Sequence, residues 1–368
     1  MVAPESRLQR PVVTVIVPAR NEESCIGACL KSLVAQTDIP FEIMVVNDGS
    51  TDRTADIARS FSDVQVIDPG PLPIDWIGKN HAAAAGASVA RTQWLLFTDA
   101  DTVHLPGSLA RSLAEAERNG AALLSYSPEQ EVHGFWEKAI MPVIFAELAA
   151  NYRPSDVSDP ASSAAAANGQ YVLISRDAYD AVGGHAAVAS NLLEDVALAR
   201  LVKASGRKIV FRLGADAVRT RMYRSFAQLR EGWTKNLALL FPSPAILAAV
   251  RLVEFVMIVA AVALTIVGVS HGHLELAAIA ALAAVASYFI LLRRIRRAHF
   301  SWDANLLALA GLPMFSYLLL RSWCFHRRGT LSWKGREYRP TPPRLSGSAA
   351  SNDTLNSEDE NGLSHAQG

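Results

Sequence analysis

The chain predicts an α/β fold, a largely parallel sheet covered by helices on both faces, followed by a carboxyl-terminal transmembrane helical region. Strand-like and helix-like segments alternate over the first hundred residues. The strand-like runs are almost continuously apolar and β-branched, as in Val12-Val13-Thr14-Val15-Ile16-Val17, which suits strands buried on both sides. Beyond residue 240, the stretches 245–269 and 274–292 are dominantly apolar and approach the roughly 20 residues a bilayer core requires.

The first strand runs into Pro18-Ala19-Arg20-Asn21-Glu22-Glu23, and Cys25, Ile26, Cys29, Leu30 and Leu33 follow at helical spacing. Phe41-Glu42-Ile43-Met44-Val45-Val46, ending in Asn47-Asp48-Gly49-Ser50-Thr51-Asp52, repeats that unit. A third strand at 64–67, an Ala-rich helix at 78–90 and a strand at 94–98 complete the alternating half. In such sheets ligands sit beyond the carboxyl ends of the strands. Pro18, Ala19, Glu22, Asp48 and the pair Asp99 and Asp101 all fall there. Those two carboxylates, one residue apart in Thr98-Asp99-Ala100-Asp101, can share one side of an extended chain and offer hard oxygen ligands to a divalent cation. A solvated turn is the competing explanation.

Taken together, Val15-Ile16-Val17-Pro18-Ala19-Arg20-Asn21-Glu22, Val45-Val46-Asn47-Asp48-Gly49-Ser50-Thr51-Asp52 and Thr98-Asp99-Ala100-Asp101 resemble the motifs of family 2 glycosyltransferases. The resemblance continues through Asn168-Gly169-Gln170-Tyr171, Gly183-Gly184-His185 and Leu193-Glu194-Asp195-Val196-Ala197-Leu198, covering residues 12–240 in the family's order. Pro73-Ile74-Asp75-Trp76-Ile77-Gly78-Lys79-Asn80 and the apolar carboxyl end further resemble the branch associated with carotenoid and hopanoid lipids. This implies a GT-A (nucleotide-diphospho-sugar transferase, Rossmann-like) domain and a set of roles. Asp48 would meet the nucleotide's base or ribose, beside a wall of Pro18, Ala19 and Glu22. Asp99 would face ribose or metal, and Asp101 would ligate Mg²⁺ or Mn²⁺. Asp195, with Glu194 beside it, would be the general base of an inverting transfer.

Read from the residues alone, Glu194 and Asp195 also complement the dipole of the helix they open. Lys79 follows Gly78 at a helix start and suits phosphate, although a solvated surface lysine suits the text equally. Arg230, Trp233 and Lys235 occupy the region of the family's Gln-x-x-Arg-Trp motif, but Gln228-Leu229-Arg230-Glu231-Gly232-Trp233-Thr234-Lys235 departs from its spacing. Arg230 and Trp233 are candidates for acceptor or diphosphate contact, and the departure speaks against a polysaccharide synthase. His185 reads as an acceptor neighbour or a loop cap.

The stretch 304–325 is interrupted by Gly311-Leu312-Pro313. Eleven Lys or Arg against two acids lie between 293 and 344, in clusters on either side of that stretch. The stretch either crosses or dips in and returns; basic flanks favour the cytoplasmic side, so the preferred expectation is a re-entrant or interfacial third segment, with the catalytic domain in the cytoplasm of a bacterial inner membrane. Trp136 and Phe145, in an apolar segment too short to span, read equally as lipid-surface contacts or as packing.

The expected organisation is an extension at 1–10, a catalytic domain at 11–240, a membrane region at 241–325, a basic segment at 326–344 and a disordered tail at 345–368. Residues 1–10 lack a signal-peptide core. Lys plus Arg and Asp plus Glu balance at 35 each, and basic residues do not alternate with aromatics, so no nucleic-acid partner is expected. Three cysteines make no disulfide framework. The expectation is an inverting, metal-dependent transferase moving a sugar from a nucleotide sugar, UDP-linked, to a membrane lipid of polyisoprenoid, carotenoid or hopanoid type. The alternatives are transfer to a glycan or polyprenyl phosphate, and a non-catalytic sugar-nucleotide-binding scaffold.

Overall fold

A computed structural model describes residues 10–328 and the short strands Leu331–Trp333 and Arg336–Tyr338. The expected amino-terminal extension short of Arg10, much of the basic segment and the tail lie outside the described residues. In chain order the catalytic half comprises β1 (Val13–Ala19), α1 (Ile26–Val34), β2 (Phe41–Asn47), α2 (Thr54–Arg59), β3 (Val64–Ile67), α3 (Gly78–Val89), β4 (Trp94–Phe97), β5 (Thr102–His104) and α4 (Ser108–Asn119). Then come β6 (Leu123–Ser127), β7 (Glu129–Gln130), α5 (Phe135–Asn151), α6 (Pro154–Ser158), β8 (Val172–Ser175), α7 (Arg176–Ala181), α8 (Glu194–Ala204), β9 (Ile209–Leu213), β10 (Val218–Thr220) and α9 (Phe226–Leu240).

Seven strands form one sheet in the order β3-β2-β1-β4-β8-β6-β9. Alternation along β1 sends Val13, Val15 and Val17 to the core shared with α1 and α4, and Ile16 to the core shared with α3 and α8. The Ala-rich composition of α3 has a packing reason, since a Cβ at Gly86 would stand 2.6 Å from Ile16 Cγ2. Strands β3, β2, β1 and β4 are parallel, as expected, whereas β8 runs antiparallel to both β4 and β6. Reversal places the start of β8 at the ligand-binding edge, because Val172 pairs with Phe97 at the end of β4. Asn168 and Gly169 are thereby delivered beside Asp99. A second sheet, β5-β10-β7, ties the segment after Asp101 to the approach to α9.

Three long helices follow: α10 (Pro244–Ser270), α11 (Leu274–Ile295) and α12 (Trp302–Arg328). With the short turn that extends α11, all three are long and apolar enough to cross a membrane. α10 and α11 expose their large apolar side chains, such as Met257, Leu264, Ile279 and Leu282, as a lipid-facing surface does. α12 differs, with 44% of its most apolar window buried against α5, α9 and α10.

The expected dip and return at Gly311-Leu312-Pro313 is not found. α12 is one unbroken helix of 27 residues, about 40 Å long at 1.5 Å per residue. Gly311 is there because α5 crosses against it, and a Cβ at that position would overlap the Ala139 carbonyl oxygen. Arg296 and Arg297 consequently precede this helix and Arg327 and Arg328 close it. Trp136 is 41% exposed and packs on Phe226, while Phe145 is half-buried between Trp233 and Phe300.

Four charges join α5 to the membrane helices. Arg251 Nε donates to Glu147 at 2.8 Å and its Nη1 to Glu254 at 3.0 Å. Arg294 reaches both Glu254 oxygens at 2.9 and 2.8 Å and lies 3.4 Å from Glu147. These side chains are 6–18% exposed, so loss of one cation leaves a poorly solvated carboxylate. Replacing Arg294 by Met is expected to cost about 3 kcal/mol, read as a lowered melting temperature of the detergent-solubilised chain.

Candidate active site

The site is assembled at the carboxyl edge of β1, β2 and β4. After β1, Arg20 Nη1 donates to the Asp48 carbonyl at 2.6 Å, the Asn21 side chain accepts from Thr51 N at 2.9 Å, and Glu22 N donates to Thr54 Oγ1 at 2.7 Å. These bonds lock the loop after β1 to the loop after β2. Asp48 is 6% exposed, in a turn that Asn47 closes by accepting from Ser50 N at 3.2 Å.

Beyond β4 the charges converge. Lys79, near the start of α3, lies 2.7 Å from Asp99 and 2.9 Å from Glu194. Asp195 accepts from Gly169 N at 2.6 Å and from Val196 N at 2.8 Å. A Cβ at residue 169 would fall 2.9 Å from Lys79 Nζ and 3.3 Å from the Asp195 carboxylate, so glycine lets both groups close on the backbone there. Burial works against the Lys79 ammonium, but Asp99, Glu194 and Asp195 outweigh it and hold Lys79 well above its ordinary range. The neighbouring acids are driven apart. Burial opposes ionisation of Glu194, yet Lys79 and Lys235 bring its carboxyl below the usual range. Burial and the Glu194 charge push Asp195 up, to about 6. A pair split in this way provides one permanent anion and one carboxylate able to exchange a proton near neutrality.

One cavity of about 980 Å³ is lined by Pro18, Ala19, Glu22, Asp48, Lys79, Asp99, Asp101, Glu194, Asp195 and Trp233. The structure therefore brings together every sequence-selected site residue except Arg230, which is exposed and outside that lining. Trp233 is 3% exposed, with its Nε1 3.4 Å from Met141 Sδ, so most of its ring belongs to the helical core. His185 is also buried. It lies 3.0 Å from Tyr179 Oη and packs edge-on to Phe97; burial lowers its pKa to about 4.

Lys235 and Gly169, which the sequence marks only as parts of motif regions, join the site. Lys235, on α9, lines the cavity; burial, opposed by Glu194 and aided by Lys79, lowers its pKa. Its proximity to Trp233 in the departed motif was the available signal. For a divalent cation, no group of three or more His, Cys, Asp or Glu side chains is arranged as a metal cage among the described residues. Asp99 and Asp101 nevertheless present hard oxygen donors on the same cavity wall, which fits a cation completing its shell with diphosphate oxygens and water.

The Glycosyl transferase family 2 profile matches residues 14–182. The chain is also 31% identical over 338 residues to the 4,4'-diaponeurosporenoate glycosyltransferase of Staphylococcus aureus strain MRSA252, across 89% of this chain and 88% of the relative. It belongs to glycosyltransferase family 2. The same enzyme of strain USA300 is 30% identical over 336 residues, with the same coverage of each chain. Among solved structures this family 2 glycosyltransferase is similar to a mannosyltransferase from Pyrobaculum calidifontis in complex with GDP-Man and Mn²⁺. That match has a TM-score of 0.49 and 17% identity over 88% of this chain and 89% of the other. Glucosyl-3-phosphoglycerate synthase from Mycobacterium tuberculosis, in complex with Mn²⁺ and UDP-glucose, gives a TM-score of 0.41 and 19% identity over 64% and 79%. The catalytic half is a GT-A-like domain.

Proposed function

We propose that this glycosyltransferase moves a sugar from a nucleotide sugar, UDP-linked, to a terminal oxygen of a long apolar acceptor of carotenoid type, with inversion in a single displacement. The observation that carries this reading is one cavity shared by Asp48, Asp99, Asp101 and Asp195 and continued by apolar side chains of α5 and α9. The name of the S. aureus relatives, which span nearly the whole chain, supports an acceptor of this class.

In this reading the loops after β1 and β2 hold the nucleoside, with Asp48 accepting hydrogen bonds from base or ribose. Lys79 lies where a diphosphate needs positive charge. A divalent cation, held by Asp101 and Asp99, would offset the charge growing on the leaving nucleoside diphosphate. Asp195 takes the proton from an acceptor hydroxyl as the oxygen–C1 bond forms and the C1–O bond to diphosphate breaks; Glu194 stays ionised against Lys79. An acceptor carboxyl arrives already ionised and needs no such transfer. In this reading the catalytic domain faces the cytoplasm from a bacterial inner membrane, where nucleotide sugars are at hand.

Mass spectrometry of lipid extracts from cells with and without the protein tests the reading. Loss of a glycosylated carotenoid-type lipid with the protein supports it, and loss instead of a glycan or of a polyprenyl-phosphate sugar overturns it. Chelation by EDTA is expected to lower transfer at least about tenfold, with recovery on adding Mg²⁺ or Mn²⁺. Full activity in chelator would remove the cation from the scheme.

A further inference from the structure

The apolar end of the cavity leads to the membrane region. Its lining includes Phe145 and Leu148 of α5, Tyr152 just past it, Leu240 of α9, and Arg297, Ala298 and His299 in the turn between α11 and α12. The walls are braced, with Tyr152 Oη donating to the Leu240 carbonyl at 3.0 Å and Phe145 set edge-on against Trp233 and Phe300. His299 adopts φ 58°, the left-handed turn that redirects the chain before α12. Arg297 lines this mouth and exposed Arg296 adjoins it, at the basic end of helices whose outer faces are apolar. Basic residues at the end of an apolar helix mark headgroup depth.

We infer that this arm is the acceptor subsite: a bilayer-anchored acceptor enters past the Ala298–His299 turn, and its apolar chain lies between α5 and α9 with the terminal oxygen toward Asp195. This rests on the reading above that the acceptor is apolar. The occupant follows from continuity, since the arm joins the carboxylate cluster to the membrane helices and the chain need never cross water. Size agrees, because about 980 Å³ is at the top of the roughly 300–1,000 Å³ usual for a single ligand, and two substrates must share it.

The test uses the full chain in detergent and, as probe, a 16-carbon fatty acid with a diazirine at its far end. Irradiation is expected to label peptides holding residues 145–152 and 298–299. Leu148→Trp, which fills the arm, should cut that labelling about tenfold. Val256→Trp, on the exposed face of α10, should leave it at the wild-type level. Label confined to the outer faces of α10 and α11, or equal arm labelling in Leu148→Trp, overturns the subsite. Should Leu148→Trp fail to fold, the wild-type map decides alone. Sugar transfer to apolar acceptors is measured in the same preparations. Wild type that transfers but is not labelled in the arm defeats this inference and spares the function; wild type that is labelled but transfers to no apolar acceptor does the reverse.

Discussion

Asp195→Asn is expected to lower kcat for a hydroxyl acceptor by about 10²- to 10⁴-fold, the usual worth of a positioned general base, while the donor binds within a few-fold of wild type. The substitution keeps the side chain's shape and removes its basicity. The proposed function assigns donor binding to the loops around Pro18, Glu22 and Asp48, so isothermal titration with UDP-sugar separates a lost base from a lost fold. With an acceptor carboxyl the same variant should lose little, because an ionised nucleophile has no proton to give. The pair of measurements therefore reports the nucleophile's class.

The pH profile carries a sign that follows from the same geometry. Asp195 works as a base only when ionised, and burial together with Glu194 raises its pKa to about 6. Turnover should consequently rise with pH through that value and fall about tenfold per unit below it. Lys79 lies on the other side of the balance, holding Asp195 down. Lys79→Met should thus move the acidic limb to higher pH, and a limb that stays in place would mean Asp195 is not the titrating group.

The carboxylates at strand ends were legible because direction and edge are coupled in a parallel sheet. Once β1, β2 and β4 are parallel, Pro18, Asp48, Asp99 and Asp101 must crowd one rim. Strand direction itself leaves no trace in a period of two, so the reversal of β8, and with it the place of Gly169, was hidden. Trp136 and Phe145 lie on a helix apolar on most of its surface, and composition cannot say which apolar face meets protein. Arg230 was drawn in by a neighbouring motif whose spacing had already slipped, and it is Lys235, five residues on, that reaches the cavity. Gly311-Leu312-Pro313 was misread for a related reason. Local rules treat Gly and Pro as breakers, whereas here tertiary contact with α5 sets the choice.

That contact supports the second large effect. Gly311→Leu is expected to leave no stably folded protein, and Gly311→Ala to lose about 3 kcal/mol, at the upper end of ordinary overpacking. The obstacle is the Ala139 carbonyl, with Val143 Cγ2 3.1 Å from the added atom. A backbone carbonyl inside a helix cannot rotate away as a side chain can, so α5 and α12 must separate. Separation would carry Phe145 and Leu148 away from the cavity wall and pull Glu147 from its arginines. The damage should therefore reach sugar transfer as well as the melting temperature. Ala310→Leu, one residue earlier on an exposed face, should change stability by less than about 0.5 kcal/mol. Thermal unfolding of the three variants in detergent compares these directly. Equal tolerance at 310 and 311 would mean that α12 does not lie against α5, and that the Gly-Leu-Pro segment turns back toward the membrane surface after all.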